Sequence, residues 1–451
     1  MSRTICAAVA IAWLIAVIEA NAQVNYTQAP AGNYHAAPSA GEWQSYIAPS
    51  APQQGYRVAS AYQTPPQGYT LPNYSATAYN MPAYNVANHQ GYGSYSGCDT
   101  CNTGVAYGGC EPCCPPPACA PCPTPCTRCW FASLGALFIT REPQDSYTFS
   151  YDSANEDDQY VDAADCDMSF SPGVEASVGW YDCCTNTGFE LTYWQLLPGD
   201  ESTQMLGADL APGFLDGIRN YDQLDYNGGT ADASVNAAVI HRLTRSWDVY
   251  NVEANRLIVF RNDGCGSPWR FQSVAGFRYF KFKETLGFVS DPSETIIDGD
   301  ADEYRIDIRT DNQLIGFQLG GITERCIGQR WTVRLIGKAG LYNNHITMNY
   351  FEGGSAGAAV INNGPNAGQA MVVNTSTNDL AFLGEFGAGV ACRVGSRWRL
   401  GADYRVVGAT GLALPTDQIY FDTRGINDVR VIDSNGSLLL HGAFVRAERS
   451  F

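Results

Sequence analysis

Between Trp130 and Phe451 the chain is a succession of segments, each roughly ten residues long, with apolar or aromatic side chains at every second position. Phe189, Leu191 and Tyr193 alternate with Glu190, Thr192 and Trp194. Trp398, Leu400, Ala402 and Tyr404 alternate with Arg399, Gly401, Asp403 and Arg405. A period of two puts all the apolar side chains of a strand on one face. Ten such segments fall at about 130–140, 172–182, 187–197, 235–260, 268–287, 303–323, 330–345, 379–394, 397–408 and 436–451. Connections near 183–186, 261–267, 324–329 and 395–396 are short. Those near 141–171, 198–234, 288–302, 346–378 and 409–435 are long, and the two kinds alternate strictly. Short turns at one end and long loops at the other are the pattern of an outer-membrane barrel. The fold class expected is all-β: an up-and-down antiparallel transmembrane β-barrel of about 10 strands (10–12), preceded by a disordered arm.

A soluble sandwich would also alternate, burying its apolar face instead of showing it to lipid. Aromatic placement favours the membrane. Trp130, Trp180, Trp247, Trp269, Trp331 and Trp398 mostly sit near segment starts or turns, like an interfacial girdle. The chain ends in Phe451, expected to act as the insertion signal read by the barrel-assembly machinery; Arg449, two residues earlier, departs from the apolar pattern. The other expected partner is outer-membrane lipid. Past residue 20 no run of 18 apolar residues exists, which excludes a helical membrane protein. A formal net charge of −18 argues against a nucleic-acid partner.

The 129 residues before the barrel divide into three. Residues 1–22 read as a cleavable signal peptide, with Arg3, an apolar stretch from Ile5 to Ile18, and Ala20-Asn21-Ala22 at the cleavage point. Residues 23–97 carry full charges only at Glu42 and Arg57 and are rich in Tyr, Pro, Ala and Gln, a low-complexity tract expected to be disordered. Residues 98–129 hold Cys98, Cys101, Cys110, Cys113, Cys114, Cys119, Cys122, Cys126 and Cys129. Four CxxC pairs admit zinc, but three residues between Cys122 and Cys126 leave little room for a hairpin between knuckles. In an exported chain disulfides are the expectation, to cell-wall protein among other partners. No metal or cofactor is expected. Fifteen mature cysteines is an odd number, so at least one is a thiol or pairs between molecules.

Several strings are more specific than alternation. Gly276-Phe277-Arg278-Tyr279-Phe280 is followed by Glu284, and Asp311 to Gly320 precedes a short turn and Trp331. Lys338 to Asn344 closes the next segment, and Gly384-Glu385-Phe386-Gly387 leads into Trp398 to Tyr404. As an ordered set these resemble the planctomycete outer-membrane family called beta barrel porin-7, over about 130–451. The resemblance implies an outer-membrane location and a porin-like role. It implies no catalytic residues.

The expected lumen-facing residues are Glu190, Asn251, Glu253, Asn255, Arg278, Gln318, Arg334, Lys338, Glu385, Asp403 and Arg405. About eight strands leave an interior that side chains fill, whereas 16–18 leave a channel. Ten strands therefore imply a narrow or plugged lumen, crossed by an Arg–carboxylate network. The outer loops are acidic, notably Glu156, Asp157 and Asp158, and Asp298, Asp300 and Asp302. The last three start like a calcium loop but lack its Gly and later Glu. Gly353-Gly354-Ser355-Ala356-Gly357 matches GxSxG without the strand–elbow–helix setting that activates Ser. The expectation is a non-enzyme, porin-like or structural, whose N-terminal arm stays in the periplasm. Alternatives are a non-transporting adhesin or wall component, and a rim protease using His241 or His345.

Overall fold

The computed structural model describes residues 128–142, 146–166, 170–182, 185–210, 213–260, 268–328 and 330–451. The expected signal peptide, the Tyr-rich tract and every cysteine of the cluster except Cys129 lie outside the described residues.

Ten strands form the barrel: β1 (Arg128–Arg141), β2 (Ser171–Asp182), β3 (Thr187–Leu206), β4 (Ile240–Phe260), β5 (Trp269–Asp291), β6 (Tyr304–Ile327), β7 (Trp331–Gly354), β8 (Val372–Val394), β9 (Trp398–Leu412) and β10 (Gly436–Ser450). Each pairs antiparallel with the next. The sheet closes because β10 pairs back onto β1, from Phe131 opposite Ser450 to Arg141 opposite Leu440. Closure leaves no unpaired edge, which a lipid environment requires. Near the short-turn end the outward face is apolar: Leu134, Val178, Leu191, Ile258, Phe277, Phe317, Leu335, Phe386 and Tyr404 are exposed there.

The strands differ in height. β1, β2, β9 and β10 have 12–15 residues, near the length that crosses a bilayer. β3 to β8 have 20–24 residues and rise well beyond it. Over this extension the outward positions turn polar: Arg242, Thr244 and Ser246 on β4, Asn343, His345 and Thr347 on β7. The six tall strands make a half-wall on one side. Its inner face is apolar and is covered by the long loops. Leu243, Phe288, Ile306, Tyr304 and Met348 of the wall pack with Phe149 and Val161 of the first loop, Tyr221 and Val235 of the second, Ile361 of the fourth and Ile426 of the fifth. The protein thus has a second hydrophobic core beyond the lipid band.

That extension corrects several sequence boundaries. The segments expected to end at 197, 287 and 345 continue to Leu206, Asp291 and Gly354, and the one expected from 379 begins at Val372. They were cut where the outward face stops being apolar, although the backbone continues in the sheet. The segment expected at 235–260 begins at Ile240; Asp232–Val235 is a single helical turn. Trp247 is no girdle residue. It points inward at 3% exposure, whereas Trp130, Trp269 and Trp398 are exposed on the outer face. Phe451 is exposed, and its N–H donates to Trp130 O at 2.9 Å.

Where β9 ends, the register shifts between Thr410 and Leu412. Gly411 occupies the bulge with φ +80, a conformation that costs an L side chain dearly. A Cβ there would also lie 2.5 Å from Leu380 O.

Candidate functional site in the barrel interior

Alternation along β5 lays out the interior in layers. Arg270 lies nearest the short turns, then Val274, Arg278, Phe280 and Phe282, Glu284, and finally Leu286 and Phe288. Each layer joins matching residues of the other strands.

At the level of Arg278 lies an ionic network. Arg278 Nη1 is 3.0 Å from Glu385 Oε2 and 3.7 Å from Glu253 Oε1. Lys338 Nζ bridges the same two carboxylates, at 2.9 Å from Glu253 and 3.0 Å from Glu385. Arg405 Nη1 is 2.8 Å from Glu175 Oε2, and its Nη2 is 3.4 Å from Asp403. Arg446 Nη2 is 3.2 Å from Asp403. Amides complete the set: Asn251 and Asn255 donate to Glu253, Arg278 Nε donates to Asn251 Oδ1, and Gln318 Nε2 donates to Glu253 at 2.8 Å. Glu190 and Arg334 line the adjoining polar cavity. Together there are five cations (Arg278, Arg334, Lys338, Arg405, Arg446) and five carboxylates (Glu175, Glu190, Glu253, Glu385, Asp403). Charges removed from water must be compensated in this way.

The cavity measures about 30 Å³, which is room for about two water molecules. Arg334 Nε, Glu385 Oε1 and Arg405 Nε are buried without a hydrogen-bond partner in the protein. All three residues line this space.

Beyond the network comes an apolar layer. Leu137, Trp194, Leu196, Trp247, Phe280, Phe282, Leu314, Tyr342, Leu383 and Phe444 pack as one buried cluster, with Leu412 at the end of β9 and Leu414 from the start of the last loop. Two polar fixtures hold it. Glu284 receives Arg141 Nη1 at 2.7 Å and Arg245 Nη2 at 2.5 Å. Asn312 pairs with the backbone of Ala413, its Nδ2 donating to Ala413 O at 2.9 Å and its Oδ1 accepting from Ala413 N at 2.8 Å. Asn344 Nδ2 adds bonds to Asn312 Oδ1 and Gly411 O. The last loop is therefore anchored inside the barrel.

Above the lipid band Glu352 holds the outer core together. It accepts from Tyr304 Oη at 2.8 Å, from Tyr350 Oη, and from Arg219 Nη2 at 2.9 Å. Arg219 Nε also donates to Tyr420 O, tying the second and fifth loops to the wall. Burial pushes the Tyr304 and Tyr350 phenols well above their ordinary range, and the adjoining Glu352 charge adds to this. His241 is fully buried, bonded through Nε2 to Val235 O at 3.0 Å, and burial depresses its pKa to about 4. Cys166 is a buried thiol that donates to Leu243 O, and burial raises its pKa to about 11.

All eleven residues singled out from the sequence point inward, and the network joins nine of them directly, with Glu190 and Arg334 beside it. Glu175 and Arg446 were missed, although both lie on the polar face of alternating segments. Cys326 and Cys392 were missed as well; both are disulfide-bonded. The residues weighed for catalysis lie apart. His241 is enclosed in the outer core, His345 is exposed on the outer wall beside Asn378, and Ser355 Oγ donates to Asp300 O. In the acidic third loop the carboxylates of Glu294, Asp298 and Asp300 lie within 4.8 Å of one another, and the Asp298 charge pushes the Asp300 pKa up.

A closed antiparallel barrel with an apolar outer band and an ionic interior defines an outer-membrane β-barrel protein. The chain belongs to the family described as "Putative beta barrel porin-7", whose profile it matches over residues 155–427. No curated protein matches it. Among solved structures it is similar to the outer membrane protease OmpT from Escherichia coli, at 11% identity and TM-score 0.37, covering 73% of this chain and 98% of that one. It is also similar to a major outer membrane protein from Thermus thermophilus, at 10% identity and TM-score 0.27, covering 72% and 99%. A third is the translocator domain of the autotransporter NalP from Neisseria meningitidis, at 10% identity and TM-score 0.31, covering 72% and 88%.

Proposed function

We propose that this porin-like outer-membrane barrel is a structural or narrowly conducting protein with a plugged lumen, and that it catalyses no reaction. The observation that carries the reading is the succession inside the barrel: a charge-balanced network followed at once by a packed layer of Trp194, Trp247, Phe280, Phe282 and Phe444. An ion crossing this layer would lose its hydration without gaining partners, which is prohibitively costly. After removal of the leader 1–22, the arm lies in the periplasm with the short turns, and the long loops face outward. Its cysteines provide a disulfide link to cell-wall protein.

The test is conductance of the mature protein in a planar bilayer, with insertion verified independently. A silent bilayer supports the plugged barrel, whose role then rests on its loops and arm. Discrete single-channel steps in the wild type would overturn it. The wall link is tested separately: mixed disulfides should appear on non-reducing gels of isolated envelopes, and a strictly monomeric band would refute them.

A further inference from the structure

Lys281, Lys283 and Lys338 are the only lysines in a chain of net charge −18. Lys338 belongs to the interior network. The other two stand on the outward face of β5, since the inward set of that strand is Arg278, Phe280, Phe282 and Glu284. Arg309 faces outward from the neighbouring β6.

The strand sets their height. The outward face of β5 starts at Trp269, runs through Phe271, Ala275 and Phe277, and reaches Tyr279 just before Lys281. Twelve residues separate Trp269 from Lys281. At ~3.4 Å each and a tilt of about 40°, they rise roughly 31 Å, past an apolar band about 25 Å tall. Tyr193 of β3 shares one cross-strand row with Val252 and Tyr279, and Tyr250 of β4 stands in the next row, opposite Lys281. Tyrosines with an apolar ring and a polar tip mark the edge of the lipid band. Lys281, Lys283 and Arg309 therefore lie at the level of the headgroups, in the leaflet at the long-loop end.

Register arranges the charges. Lys283 is opposite Asp311 on β6 and Asp248 on β4. Lys281 is opposite Gln313, yet its Nζ reaches Asp311 along the diagonal, at 2.8 Å. The same diagonal one step further sets Lys283 beside Arg309, roughly 7–8 Å apart along the backbone. Among the described residues neither of these two cations has a carboxylate within ion-pair distance, and Asp311 is taken by Lys281. The carboxylates are also sunk beneath the cations. Asp248 Oδ1 and Asp311 Oδ1 are closed off from solvent, and the Asp311 side chain is 12% exposed against 26% for Lys281. Neighbouring like charges are destabilising on a sheet, and an anion held between them removes that cost.

We propose that Lys283 and Arg309, with Lys281 beside them, bind the phosphate of an anionic phospholipid headgroup. The same two strands favour a lipid over free phosphate. Directly below the cations Phe277, Ile315 and Phe317 are exposed, and the rings of Phe277 and Phe317 meet edge to face at 5.8 Å, a surface for acyl chains. The site depends on the barrel spanning a membrane and is independent of whether its lumen conducts.

The test is native mass spectrometry of the mature protein in detergent, titrated with phosphatidylglycerol or with phosphatidylcholine. Phosphatidylglycerol should be retained the more tightly. Lys283→Gln and Arg309→Gln should each weaken its retention about fivefold, and the double variant about thirtyfold. Lys283→Arg should keep it. Arg256→Gln, which removes an exposed cation at the short-turn end of β4, should leave it unchanged. Heat-modifiability establishes that each variant is folded. Equal retention of the two lipids by the wild type, unchanged retention in the double variant, or an equal loss in Arg256→Gln would overturn the proposal.

Discussion

Replacing Arg278 by Met tests whether the interior is held by charge balance. Arg278 is 1% exposed, sits 3.0 Å from Glu385 and 3.7 Å from Glu253, and donates through Nε to Asn251. Met keeps much of the volume and removes the charge, leaving four cations against five carboxylates. Removing one member of a buried pair costs about 3–5 kcal/mol. The low end, about 3 kcal/mol, applies because Lys338 still bridges both carboxylates. Glu385→Gln leaves the opposite excess and should cost a similar amount. In Arg278→Met/Glu385→Gln neutrality returns, so the double variant should lose about 3 kcal/mol rather than the additive total of about 6. The assay is denaturant unfolding of the barrel in lipid vesicles, followed by tryptophan fluorescence with the denaturant slope held constant. Additivity within about 0.5 kcal/mol, or a silent Arg278→Met, would refute the reasoning.

Acid should loosen the outer core through His241. Its folded pKa of about 4 lies below the unfolded value, so between pH 6.5 and 4 the unfolded state binds a proton that the folded state does not. About 3 kcal/mol is lost over that window as pH falls. Hydrogen exchange around 232–243 should accelerate between pH 7 and 4.5 in the wild type and less so in His241→Phe; equal protection at both pH values contradicts this. Arg219→Ala should leave Glu352 without its cation and raise protease sensitivity in the second and fifth loops, while the barrel stays heat-modifiable. Gly411→Ala should cost more than about 1 kcal/mol from its φ and its approach to Leu380 O, read as a lowered unfolding midpoint.

The strand count and the alternation of short and long connections were legible because lipid imposes a strict period of two on every spanning segment. The inward set was legible for the same reason: residues such as Glu253, Arg278 and Glu385 occupy the face opposite Val252, Phe277 and Phe386. What was not legible follows from the loss of that contrast. Beyond the lipid band both faces of β7 are mixed, with Asn343 and His345 outside and Asn344 inside, so the strand seemed to end where only the membrane does. Trp247 resembled a girdle residue because a tryptophan in a long segment of unclear start reads alike on either face. Burial of Phe149, Tyr221 and Ile426 under the tall wall depends on loops meeting strands far away in sequence, and no local pattern carries that. Cysteine parity was legible as an odd number, but only the fold assigns a thiol to Cys166.

The unequal strand heights bear on assembly. The seam at which the first and last strands meet lies in the middle of the low side, flanked by β9 and β2, so closing the ring zips only short strands. The first and fifth loops spring from those same strands, and they supply Phe149, Val161 and Ile426 to the outer core. That core can be completed only once the ends of the ring are in place. It serves as a latch set after the gate has shut, and the newly made joint is guarded by packing at the long-loop end that an unfinished barrel cannot have.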